Sequence, residues 1–152
     1  VKGHDKMTPQ DPDYEIRTHE SFGRQAVMHT LGAALSIQEP GAVSIRFPFA
    51  PRYTQQNGYV HAGIVATILD SACGYAAYTL MPPDADVLTV EFKVNLLRPA
   101  KGDVFTAKAT VVKAGRTISV VEAALYSPEY GEQKPVATMT ATIMTMGPSS
   151  QG

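Results

Sequence analysis

One carboxylate, Asp70, stands alone in the most apolar part of this chain, with no other Asp or Glu between Glu39 and Asp84. An Asp in a helix interior is unfavourable by up to about 0.7 kcal/mol relative to Ala, and burying its charge costs more unless it is paired. Such a residue either satisfies a buried partner or does chemistry, as a general base or as a nucleophile. Upstream, His61-Ala62-Gly63 opens the same apolar stretch. At a helix start the free backbone N–H groups and the positive end of the dipole can hold developing negative charge. The Ala62 N–H is the donor of choice, with Gly63 allowing close approach of a substrate, and His61 shapes the turn or takes part directly. Cys73, one turn beyond Asp70, has no base partner to lower its pKa and is read as packing.

Elements that could position these groups follow from periodicity. His61 to about Met81 holds a helical period that Pro82-Pro83 ends. Ile64, Val65, Ile68, Ala72, Tyr75 and Ala76 cover one face, and Gly63, Ala66, Thr67, Asp70, Cys73, Gly74 and Ala77 the other. With both faces nearly uncharged, this helix should be covered on all sides. Before it, Ser21–Leu31 reads as a short helix, and Ala33–Gln38 and Ala42–Ala50 as strands about a Glu39-Pro40-Gly41 turn. After it come four strands: Val87–Leu97, Val104–Lys113, Thr117–Tyr126 and Val136–Met146. In the first of these, Leu88, Val90, Phe92, Val94 and Leu96 alternate with Thr89, Glu91, Lys93 and Asn95, which predicts one apolar face. Residues 1–17 read as a flexible arm, 18–146 as a single domain and 147–152 as a flexible tail. Met7 can serve as a native start, with residues 1–6 an appended stretch. A single long helix among many antiparallel strands belongs to the α+β class.

Composition narrows the function. The 152 residues carry 13 Lys and Arg against 14 Asp and Glu, a net charge of -1, with no basic run for nucleic acid. The single Cys excludes an internal disulfide and a multi-cysteine zinc site, and fits a cytoplasmic setting. The only membrane-length apolar stretch, Ala62–Met81, carries Asp70 near its centre and is read as a buried helix rather than a span. Charged residues make up 18%, below the roughly 25% of average chains, which suggests that part of the surface is covered by other copies.

Thr54–Ala77 (TQQNGYVHAGIVATILDSACGYAA) resembles the signature of the phenylacetate-pathway (PaaI-type) hotdog thioesterases: Asn or Gln, then G-x-x-H-G-G, then an acid nine residues past the His. Gln55, Gly58, His61, Ala62, Gly63 and Asp70 fall at those spacings, and the likeness continues through Val87–Gly102 and Ala114–Tyr126. Gln55 replaces the more frequent Asn, and Ala62 the first Gly of the pair. The resemblance implies a hotdog fold, a long helix wrapped by a curved antiparallel sheet of about six strands. It also implies acyl-CoA hydrolysis at sites shared between copies of a homodimer or homotetramer. Asp70, Gln55, His61, Ala62 and Thr89 would be catalytic, Gln55 holding a water or the carbonyl through its amide and Thr89 standing where relatives carry a Ser or Thr near the acid, while Gly63, Val90, Arg98, Lys101, Gly115 and Arg116 would bind substrate. Coenzyme A would enter as part of the substrate, and no metal or separate cofactor is expected. The competing readings are a hotdog hydratase or dehydratase, whose HFP-type motif is not found, and a non-catalytic acyl-CoA-binding protein.

Overall fold

The computed structural model describes residues 6–147. Two helices, α1 (Tyr14–Arg24) and α2 (Ala26–Thr30), precede strands β1 (Ala34–Glu39) and β2 (Ala42–Pro48). The long helix α3 (Ala62–Tyr78) leads to β3 (Asp86–Leu96), β4 (Val104–Ala114), β5 (Ile118–Tyr126) and β6 (Ala137–Met146). All six strands form one antiparallel sheet in the order β1-β2-β4-β5-β6-β3. α3 lies along its inner face, touching β2 through β6. This is the α+β helix-in-sheet arrangement expected, with strand limits within one or two residues of the expected ones. Among the described residues no helix is long and apolar enough to cross a membrane.

Inner-face side chains meet α3 in rows set by the ladder. Val121, Ala141 and Val111 are buried in one row, and Leu125, Ala137 and Ala107 in another. Phe47 of β2 stacks on Phe105 of β4 with centroids 5.2 Å apart, and both are fully buried. Ile68 and Leu69 of α3 complete this core at 0% exposure, each burial worth about 2 kcal/mol. The β1–β2 turn needs Gly41, whose φ of 86° is closed to most side chains; its N–H donates to Thr79 Oγ1 at 2.8 Å and ties the turn to the end of α3.

The structure departs from the expectations in three places. First, the helix expected at Ser21–Leu31 is broken at Gln25, which is extended (φ -82°, ψ 97°), and α1 begins already at Tyr14. Residues 14–17 of the expected arm are therefore the first turn of a helix. Arg17 explains this: Nη1 donates to Pro82 O (2.9 Å) and Nη2 to Tyr78 O (3.1 Å) and Met81 O (2.9 Å). Its Nε lies 2.9 Å from Asp11 Oδ2, a charge contact, and its guanidinium sits 4.4 Å above the Tyr78 ring. One Arg thus binds three carbonyls at and just past the end of α3, of which Met81 O has no backbone donor among the described residues. Residues 1–5 of the expected arm and 148–152 of the expected tail lie outside the described residues.

Second, α3 is not covered on all sides. Ser71 to Tyr78 are all buried, whereas Ala62 and Gly63 are exposed and Ala66, Thr67 and Asp70 half-buried. Third, the alternation in β3 is interrupted. Thr89 pairs with Ile143 and Glu91 with Thr142, so Val90 is an extra residue, a bulge. Val87 and Thr89 face α3 before it, and Phe92, Val94 and Leu96 lie on the inner side after it, opposite Ala141, Met139 and Ala137. Leu88 is left on the outer face. The expected single apolar face is split between the two sides of the sheet, because one inserted residue reverses a period of two.

Candidate active site

His61 accepts the Gly63 N–H at Nδ1 (2.8 Å) and is the N-cap of α3. That bond requires an unprotonated Nδ1, placing the neutral ring's proton on Nε2. The His61 N–H is itself held by Tyr53 O at 2.8 Å. Gly63 is explained by this cap: a Cβ there would stand 3.1 Å from His61 Nδ1. With the Gly63 N–H consumed, the Ala62 N–H is the first-turn donor without an acceptor among the described residues.

The loop before α3 is organised by Gln55. Its Oε1 accepts from Asn57 N (2.6 Å) and Tyr59 N (3.3 Å), and its main chain pairs with Tyr59 O and with Gly58 N. With the oxygen committed to the loop, only the Nε2 donors of Gln55 remain for a ligand. Gln55, Ala62 and Arg98 line one cleft of about 450 Å³. Its other walls include Asn57, Tyr59, Val65, Leu96, Leu97 and Val136. Arg98 is steered there by Nη1 donating to Pro135 O at 2.8 Å.

Asp70 forms a second centre. Thr89 Oγ1 donates to Asp70 Oδ1 at 2.7 Å, so the side chain expected near the acid is on it. No Arg or Lys pairs with Asp70 among the described residues. Cys73 is fully buried, and burial, with the Asp70 charge as a lesser cause, pushes its thiol up to about 12. It is inert packing, as expected.

These two centres do not meet within one chain. Ala62 and Asp70 are eight residues apart on one helix, which is about 12 Å along the axis. The substrate-binding residues divide as well. Lys101 pairs with Glu129 at 3.3 Å, with both side chains about half exposed, off the cleft. Gly115 and Arg116 form the β4–β5 turn, where the Gly115 position closely approaches Ile118 O and excludes a Cβ. β5 spans nine residues, so that turn lies about 30 Å from the Arg98–Lys101 end of the sheet. Val90, the bulge, is 53% exposed at the unpaired edge. The sequence reading missed Asn57 and Tyr59 as cleft residues, although both sit inside the Thr54–Ala77 motif. Leu97 and Val136 join the cleft only through strand ends meeting in space, which no local signal reports.

A helix start with one free N–H, an amide donor beside it and an unpaired carboxylate suit an acyl-transfer site. The family model described as Thioesterase superfamily matches residues 57–132, a span holding the Ala62 donor, Asp70 and Thr89. The chain belongs to the thioesterase superfamily. Among relatives of this thioesterase is a medium/long-chain acyl-CoA thioesterase of Salmonella typhimurium, 31% identical over 141 residues, covering 83% of this chain and 86% of the relative. Among solved structures, a thioesterase family protein of Silicibacter pomeroyi matches with TM-score 0.85 and 52% identity, covering 88% of this chain and 98% of that one. The PaaI protein of Escherichia coli shares the fold at TM-score 0.80 and 19% identity, covering 91% of this thioesterase and 96% of its own chain.

Proposed function

We propose that this thioesterase hydrolyses acyl-CoA at two equivalent sites, each built from Gln55, Ala62 and Arg98 of one copy and Asp70 and Thr89 of a second. The observation that carries this reading is the separation of the Ala62 donor from the Asp70 carboxylate along an uncovered helix face. Two antiparallel α3 helices related by a two-fold axis at Ala66, midway between residues 62 and 70, bring each donor to the other copy's acid. The unpaired edge of β3 favours the same partner: Phe92, Leu96 and Leu97 are 44–55% exposed there, and a second β3 would continue the ladder. That two-fold also carries the Gly115–Arg116 turn of one copy toward the Arg98 end of the other, where the carrier's phosphates would need cations. The Salmonella relative is described as acting on acyl-CoA, and a Bacillus halodurans neighbour, 25% identical, was solved with CoA.

In this scheme Asp70 Oδ2, the oxygen not bonded to Thr89, takes a proton from water as the water oxygen attacks the thioester carbon. Thr89 Oγ1 donates its proton to Asp70 and can accept from the same water. The carbonyl oxygen, gaining charge, is held by the Ala62 N–H and Gln55 Nε2. Collapse breaks the C–S bond, and the proton held by Asp70 passes to the departing CoA sulfur. No metal or added cofactor is required.

Subunit complementation tests this directly. Ala62→Pro removes the N–H at the first helical position, where Pro is tolerated, and His61 already has the extended angles (φ -60°, ψ 140°) a following Pro requires. Ala62→Pro and Asp70→Asn homo-oligomers should each be nearly inactive on acyl-CoA with free-thiol detection. Refolded together, they should regain about a quarter of wild-type activity, since half the pairs are mixed and each mixed pair holds one intact site. Absence of recovery, with both variants folded, would mean that the site is not shared.

A further inference from the structure

Tyr53 stands outside the groups of the proposed site, yet both of its polar ends are bonded on either side of them. Pro51–Tyr53 is a single turn of 3₁₀ helix between β2 and α3, and the Tyr53 ring is buried in the core. It meets Phe47 edge-on with centroids 6.4 Å apart, and Phe47 in turn stacks on Phe105. From that seat the phenol donates to Thr30 O at 2.8 Å, at the end of α2, and accepts from Arg52 Nη2 at 3.0 Å. The carbonyl of the same residue accepts the His61 N–H at 2.8 Å. Residues 53–61 are thereby closed into a small ribbon. Thr54 and Val60 form a bridge within it, Gln55 N donates to Tyr59 O at 2.8 Å, and Gln55 Oε1 closes the tip on the Asn57 and Tyr59 N–H groups. Beyond the ribbon, the Val60 N–H donates to Ala100 O at 3.1 Å, and the Tyr53 hydroxyl reaches α2.

Both proposed oxyanion donors therefore hang from one residue. Gln55 lies two positions beyond Tyr53 along the chain, and Ala62 follows the residue whose N–H the Tyr53 carbonyl holds. Packing on Phe47 needs only the ring, and a Phe would fill the same space. A buried hydroxyl costs free energy unless it is bonded, so its presence calls for a further reason. The O–H bond to Thr30 is directional, and it sets where the ring and backbone of Tyr53 stand, which apolar contact alone leaves less defined. Groups that hold a transition state lose about 10²-fold in rate when misplaced by about 1 Å. We infer that Tyr53, through its hydroxyl, is a positioning residue that sets the spacing of Gln55 Nε2 and the Ala62 N–H. The inference rests on the proposed hydrolysis, in which these two donors hold the same carbonyl oxygen.

Tyr53→Phe on the full chain keeps the ring and removes the tie. Its kcat for acyl-CoA hydrolysis, per folded molecule, should fall about tenfold. KM should stay nearly unchanged, since the donors act on charge that develops in the transition state. In a Gln55→Ala background no pair of donors is left to space, and the same substitution should cost less than about threefold. A merely structural role would lower both backgrounds equally. Amide hydrogen exchange reads the placement without turnover: the Asn57, Tyr59 and His61 N–H groups should exchange about tenfold faster in Tyr53→Phe, with the amides of β5 and β6 unchanged. Circular dichroism matching wild type assigns these changes to the ribbon rather than to unfolding. With an active wild type, unaltered kcat in Tyr53→Phe, equal losses in the two backgrounds or unaltered exchange would each overturn the inference. A wild type inactive on acyl-CoA would instead overturn the proposed activity, and the exchange readout would still decide whether the hydroxyl anchors the ribbon.

Discussion

The two halves of α3 share one helix and one apolar composition yet are treated oppositely by the rest of the chain. From Ser71 to Tyr78 every residue is buried, and the surrounding contacts are redundant. Arg17 and Gln10 take the carbonyls of Tyr78, Leu80, Met81 and Pro82. Ser71 Oγ donates to Gln25 Oε1 at 3.0 Å, and Phe22 packs edge-on against Tyr75 at 5.7 Å. From Ala62 to Asp70 only one stripe, Val65, Ile68 and Leu69, is buried in the core, while Ala62, Gly63, Ala66, Thr67 and Asp70 form a face the chain leaves exposed or half-buried. The closed half holds the helix in place, and the open half is the face on which the proposed shared site would be built. Low contact density where ligands must enter is the ordinary division of stability within a fold.

The sharpest way to break this comparison is a substitution in each half. Asp70→Asn keeps the shape and the Thr89 contact but removes the basic oxygen, so kcat should fall by about 10²–10⁴ with the melting temperature unchanged or slightly raised. A lower melting temperature with normal turnover per folded molecule would reverse the assignment and make Asp70 structural. In the closed half, Arg17→Met should cost about 3 kcal/mol in urea unfolding, since it leaves the buried Asp11 carboxylate without its cation and the Met81 carbonyl without a donor, while Tyr78 O and Pro82 O keep the Met81 and Ala85 N–H groups. Turnover per folded molecule should persist; equal losses of activity and stability would show that the two halves are coupled.

Smaller effects sharpen the contrast. His61→Ala removes the N-cap and should cost about 1 kcal/mol of stability, while freeing the Gly63 N–H beside the Ala62 donor. A fall in kcat far beyond tenfold would give His61 a direct role in the chemistry. The smallest effect is expected at Thr18 of α1, whose fully buried Oγ1 has no hydrogen-bond partner among the described residues. Thr18→Val replaces an unsatisfied hydroxyl by a methyl of equal shape and should raise stability by up to about 1 kcal/mol. A loss instead would point to a bond made by that hydroxyl.

Much of this was readable along the chain, because local patterns have local causes. The helical period from His61, its stop at Pro82-Pro83, the Gly41 and Gly115 turns and the isolated acid at Asp70 each follow from a residue and its near neighbours. The motif around Gln55, His61 and Asp70 pointed to the family for the same reason: its members lie on one continuous segment. What the tertiary structure decided involves groups distant in sequence or differences of a single residue. The bulge at Val90 moved Leu88 to the outer face and Phe92 to the inner one, since a period of two has no memory across an insertion. Arg17 reached the end of α3 from more than sixty residues away, turning an expected arm into the clamp on that helix. The Gln55 oxygen was claimed by its own loop, which left the amide nitrogen for a ligand. Ala62 and Asp70, members of one motif, were held apart by the rise of the helix between them, a distance set by backbone geometry that no side chain of this chain spans.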